Sequence, residues 1–123
     1  YAHHKVRTKF WGYAAKESLD NEAFIKEEYQ GIRPAPGYPS CPDHRLKNDI
    51  WDLLDVEQKI NISLTDSLAM WPTASVSGLY FSHPQSRYFQ LGRIDKDQVE
   101  AYSKSRGESI DENETWLSPV LGY

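Results

Sequence analysis

Residues 62–94 read ISLTDSLAMWPTASVSGLYFSHPQSRYFQLGRI and contain four short apolar runs, at 62–64, 68–71, 76–81 and 88–94. Each run is too short for a helix and is bounded by Pro, Gly, Asp or Ser, the pattern of strands joined by turns. The linker SHPQSR at 82–87 predicts an antiparallel hairpin between the last two runs.

On both sides of this stretch the pattern turns helical. Residues 1–11, YAHHKVRTKFW, place Ala2, Val6 and Phe10 at near-helical spacing with no N-cap, and Gly12 is the stop. Asp20 caps a helix expected over 21–29, closed by Gly31. Residues 46–59 predict a helix of about three turns. Asp95, with Gln98 three residues on, forms a capping box for a helix over 96–106 that stops at Gly107. A last short helix is expected over 111–117, before Pro119. Strands bunched between helices indicate an α+β fold with an antiparallel sheet.

The chain has 123 residues, one domain's worth, and enough apolar content (39%) to bury a core without disulfides. Fourteen Lys and Arg against eighteen Asp and Glu leave a net charge of -4, which argues against nucleic acid or an anionic membrane as the main partner. No run approaches the ~18 apolar residues of a membrane span. The single cysteine, Cys41, excludes an internal disulfide and suits a reducing, cytoplasmic setting. The first residue is Tyr1 and the only methionine is Met70, so the chain is expected to be a piece of something larger.

The chemistry concentrates in RPAPGYPSCP, residues 33–42. Four prolines forbid regular helix or central strand and stiffen the loop, so its remaining amides and carbonyls are held ready for a ligand. Gly37 allows a close approach to the backbone, Arg33 offers a planar fork for a carboxylate or phosphate, and Tyr38 offers an aromatic face. Together they suit a small zwitterionic ligand; the alternative is a rigid connector with Arg33 in a structural salt bridge. Cys41 and His44 could begin a zinc site, but two further ligands at workable spacing are missing, so no metal is expected. Cys41 as a nucleophile with His44 as base lacks an oxyanion loop. His83 reads as a turn residue, and neither a Gly-rich phosphate loop nor a nucleophile elbow is present.

WGYA at 11–14, YQGIRPAPGYPSCPDH at 29–44, LTDSLAMWPTASVSGLYFSHPQSRYF at 64–89, DQVEAY at 97–102 and WLSPVLGY at 116–123 together resemble the C-terminal activation domain of cobalamin-dependent methionine synthase. The resemblance implies a curved, mostly antiparallel sheet with surrounding helices, and a chain (1–123) that is the C-terminal part of one S-adenosylmethionine-binding domain, truncated at its N-terminus. It implies a methyltransferase module rather than a catalytic site of its own. S-adenosylmethionine would be the methyl donor for reductive methylation of cob(II)alamin, with cobalamin on a neighbouring domain and an electron from a flavodoxin-type or diflavin reductase. The isolated fragment would be inactive alone.

Carried over by position, Arg33 matches the arginine that holds the donor's carboxylate, and Ala35 and Gly37 match positions whose backbone faces the ligand. Tyr38 matches the tyrosine near the meeting point of donor and corrin, and His44 a histidine placed near the docked corrin. Tyr88 and Phe89 match an adjacent pair that contacts the donor. Phe89 stands where one form of the family has tyrosine, so a backbone contact would survive there and a hydroxyl contact would not. The family's domain extends upstream of Tyr1, and acidic residues in that part also serve donor binding or corrin docking. A stand-alone small-molecule binding or sensor protein with the same pocket is the alternative reading.

Overall fold

The computed structural model describes residues 1–123, which form two compact units. The first comprises residues 1–34 and 78–88, the second residues 35–77 and 89–123.

The first unit opens with α1 (Ala2–Lys5), which runs directly into a π-helical turn, Val6–Phe10, and ends where Gly12 takes φ +66°. The stop at Gly12 is the one the sequence indicates. α2 (Asn21–Ile25) is capped as expected, with the Asp20 carboxylate accepting the Ala23 N–H at 2.8 Å. It is shorter than the 21–29 expected, because Glu27 adopts φ +57° and turns the chain out of the helix. Residues 29–34 then run extended against 79–81: Ile32 and Phe81 exchange N–H···O=C bonds at 2.9 and 3.0 Å, and the Leu79 N–H donates to the Pro34 carbonyl at 2.9 Å. Gly31 makes this approach possible, since a Cβ there would lie 2.2 Å from the Phe81 carbonyl oxygen.

The second unit holds the remaining elements: α3 (Leu46–Leu54), α4 (Val56–Ile60), β1 (Ser63–Leu64), β2 (Met70–Trp71), α5 (Lys96–Arg106), α6 (Ile110–Leu117) and a 3₁₀ turn, Ser118–Val120. The single helix expected over 46–59 is two, because Asp55 adopts φ +54°, a conformation Asp tolerates better than most residues. α5 has both halves of its Asp95–Gln98 capping box and ends at Gly107 with φ +70°, as the sequence predicts. α6 is capped by Ser109, whose hydroxyl accepts the Glu112 N–H at 3.2 Å. The core of this unit is Ile94, Val99 and Leu117, with Tyr102, Val120 and Leu121 packed on it. Ile94 pairs in parallel with Leu121 through the Val120 carbonyl and the Gly122 N–H.

The α+β class holds, with an antiparallel sheet of two short strands in register Ser63–Trp71 and Leu64–Met70. The hairpin expected between 76–81 and 88–94 does not form. Phe81 takes Ile32 as its partner, and Ile94 takes Leu121. Behind the loop at 33–42, the buried Arg45 guanidinium holds both oxygens of Asp43 at 3.0 and 2.7 Å and reaches Glu108 at 2.6 Å and Asn113. The Arg45 backbone N–H and the Tyr102 hydroxyl also donate to Asp43, both at 2.8 Å. Such a fully partnered network fixes the end of the loop against α5 and α6.

Candidate functional site

The six residues carried over for the donor fall in both units: Arg33 and Tyr88 in the first, Ala35, Gly37, Tyr38 and Phe89 in the second. In the first unit, Arg33 and Tyr88 are in direct contact, the backbone N–H of Arg33 donating to the Tyr88 hydroxyl oxygen at 2.9 Å. That hydroxyl also lies 3.2 Å from the Tyr29 hydroxyl. Either hydroxyl of this pair can supply the proton of the bond between them. Tyr29 is buried, and burial together with the Tyr88 hydroxyl holds its phenol above the ordinary tyrosine range.

Arg33 is exposed and stands in no ion pair, so the salt-bridged connector considered for it is not what forms. Its guanidinium lies 5.6 Å from the centre of the Tyr29 ring, and the Arg7 guanidinium lies 4.6 Å from the same ring. Arg7 is neutralised by a two-pronged pairing with Glu17, both contacts at 2.6 Å, which holds the Glu17 carboxyl below the usual carboxylate range. These groups line a cleft of ≈460 Å³ that includes His4, Arg7, Glu17, Phe24, Tyr29 and Arg33. Of its cations, Arg7 is already matched by a carboxylate and Arg33 is not. The cleft can therefore take an anionic group at Arg33 and apolar surface at Phe24 and Tyr29.

Beneath it, His3 is buried between Tyr29 (ring edge, 5.1 Å) and Tyr80 (stacked, 5.1 Å). Burial, and next the Arg7 charge, lower its pKa to about 4, so it is neutral at physiological pH.

In the second unit the loop closes on itself. The Tyr38 N–H donates to the Ala35 carbonyl at 3.2 Å, the Cys41 N–H to the Tyr38 carbonyl and the Gly37 N–H to the Cys41 carbonyl, both at 2.8 Å. Three of the loop's amides are thus spent internally, and in this unit the loop exposes Gly37, Pro39 and the ring of Tyr38, 66% exposed. Gly37 has φ +94°, and a Cβ there would lie 2.0 Å from His44 Cε1. His44 therefore sits against the Gly37 backbone. Burial and then Lys47 lower its pKa. Phe89 is 56% exposed, and two residues on, the Leu91 N–H donates to the Pro39 carbonyl at 3.1 Å, tying this segment to the loop. Cys41 is half-buried, and burial with Asp43 nearby pushes its thiol up, the wrong direction for a nucleophile.

Sequence reasoning missed Tyr29, the Arg7–Glu17 pair, His3 and Lys47. A weak signal existed for two of them: His3 and Arg7 stand four apart and share one face of a helical segment. Tyr29 was legible only as an apolar helix residue.

Two comparisons bear on this arrangement. A family model described as vitamin B12 dependent methionine synthase, activation domain, matches residues 1–107. A solved structure described as the crystal structure of the MetH reactivation domain bound to AdoHcy superposes with a TM-score of 0.94 at 57% sequence identity. That match covers 100% of this chain and 38% of the other chain.

Proposed function

Given that this chain belongs to the family of vitamin B12 dependent methionine synthase activation domains, we propose that it binds S-adenosylmethionine as the methyl donor for reductive methylation of cobalamin carried on a neighbouring domain. AdoHcy, with which the similar structure is described, is what that donor becomes once its methyl is transferred. The reading fits the side chains present. The observation that carries it is Arg33: its backbone is pinned by Tyr88, its guanidinium lies over Tyr29, and no carboxylate of the chain occupies it. A planar fork held in this way suits the carboxylate of an amino-acid ligand.

In this reading Arg33 and Tyr88 orient the amino-acid end of the donor. Ala35 and Gly37 meet it through backbone, Tyr38 offers its ring to the sulfonium, and Phe89 adds apolar contact. Tyr38 and His44 lie toward the corrin. The leaving group is a neutral thioether, so no residue of the chain has to donate a proton, and positioning is the main contribution. Cobalamin supplies the methyl acceptor when its domain docks.

The chain spans 38% of the length of the solved chain that it matches. We place residues 1–123 as the C-terminal part of one activation domain, inactive in isolation because the acceptor is carried elsewhere. The partners in this scheme are the cobalamin-binding domain of the same polypeptide and a flavodoxin-type or diflavin reductase, in the cytoplasm. No helix is long and apolar enough to cross a membrane.

Calorimetric titration with S-adenosylmethionine and AdoHcy, in a protein that includes the flanking sequence, tests the proposal. Saturable binding of both is expected, and absence of heat with either ligand in a folded protein would overturn it.

A further inference from the structure

Lys47 is an unusual residue to find inside this unit. It is buried, yet its ammonium meets no carboxylate. Its two partners are neutral acceptors: the Leu68 carbonyl at 2.6 Å and His44 Nδ1 at 3.0 Å. A buried cation without a counter-ion is costly, and an apolar side chain of similar length would fill the same space. What the ammonium adds is directional. It carries three donors and no acceptor, so the ring nitrogen facing it must be the unprotonated one.

We infer that Lys47 is a positioning residue for His44, the histidine that the proposed function turns toward the corrin: it holds His44 as the neutral tautomer protonated on Nε2, with that N–H beside the Gly37–Tyr38 turn. The surrounding geometry agrees. Nε2 makes no hydrogen bond within the chain, His44 is exposed, and the position of a Gly37 Cβ would be 2.5 Å from that nitrogen. Lys47 itself is fixed from the other side by Leu68, whose φ of +60° turns the segment between β1 and β2. The other charge facing the imidazole is Asp43, which opposes Lys47, but its carboxylate is already engaged by Arg45 and Tyr102. The tautomer is read in the chain alone, so this inference can fail while the methyl-donor reading stands, and the reverse.

The test is two-bond ¹H–¹⁵N correlation of the chain labelled with ¹⁵N-histidine, followed through a pH titration with circular dichroism as the check on fold. In the wild-type chain His44 is expected to show a bare Nδ1 and a protonated Nε2. Lys47→Met should move the spectrum toward the tautomer mixture of free imidazole and raise the His44 midpoint by about 0.5–1 unit, the size of one nearby cation's effect. Lys47→Arg should restore the wild-type pattern. A folded Lys47→Met chain with unchanged tautomer and midpoint would overturn the inference. So would a wild-type His44 carrying its proton on Nδ1, a result that needs no variant to fold.

Discussion

The hydroxyl of Tyr88 accepts the backbone N–H of Arg33 at 2.9 Å, across 55 residues of sequence. The main chain at Arg33 is thereby anchored by a side chain, while the guanidinium remains free for a ligand. Removing the guanidinium therefore tests binding with little loss of fold. Arg33→Ala should weaken S-adenosylmethionine binding by about 1.5–3 kcal/mol, roughly 10- to 150-fold in Kd, the range for a charge-assisted hydrogen bond to a carboxylate. Titration calorimetry with the decarboxylated analogue as control checks the cause, because that ligand should bind both proteins alike.

Gly37 is the loop position least open to change. Its φ of +94° disfavours any side chain, and a Cβ would strike the His44 ring at 2.0 Å. Gly37→Ala should lower stability by about 1–3 kcal/mol and displace His44. Chemical denaturation measures the first effect and the His44 ring resonances the second. An unchanged midpoint with an undisturbed ring would mean that the loop relaxes freely, contrary to its prolines.

Tyr38 presents an exposed ring whose hydroxyl bonds to nothing in the chain. If the ring positions the sulfonium, an attraction of about 0.5–2 kcal/mol, then Tyr38→Phe should keep most reductive methylation in the intact enzyme. Tyr38→Ala should lose more in transfer rate than in donor binding. Equal damage from both substitutions would assign the role to the hydroxyl instead.

Acid should destabilise the first unit before its carboxylates titrate. His3 has a folded pKa of about 4 against an unfolded value near 6.5, so between those values the unfolded chain binds the extra proton. Stability therefore falls as pH drops from about 6.5 to 4, by on the order of 3 kcal/mol at most, and this contribution levels off below pH 4. Glu17, whose folded pKa is depressed, adds a further loss only at lower pH. His3→Phe, which keeps a ring between Tyr29 and Tyr80, should flatten the slope between pH 4 and 6.5 in thermal or urea unfolding. A slope unchanged in this variant would place the proton uptake elsewhere.

Features set by neighbouring residues were legible in the sequence. Asp20, Asp95 with Gln98, Gly12 and Gly107 each mark a helix end that the structure has, because a cap is made within one turn of chain. Breaks caused by left-handed residues were not, since Glu27 and Asp55 carry no glycine-like signal. Strand pairing was also misread. Phe81 had an apparent partner a short turn away and bonds instead to Ile32, where Gly31 clears the space. The candidate site divides along the same line. Arg33, Gly37 and Tyr38 share one loop and could be singled out together, whereas the support from Tyr29, Arg7 and Glu17 depends on folding. A buried lysine such as Lys47 looks like any surface lysine until its partners are seen.

The pairing of Ile32 with Phe81 also bears on synthesis at the ribosome. Residue 32 emerges roughly fifty residues before its partner, which at ordinary elongation rates leaves it waiting for about 2.5–10 s. For that interval Ile32 offers an open strand edge to any other nascent chain. The residues that follow it are poor templates for such pairing, because Pro34, Pro36, Pro39 and Pro42 have no N–H to give. The prolines that stiffen the loop in the finished protein thus also shield the growing one from mispairing.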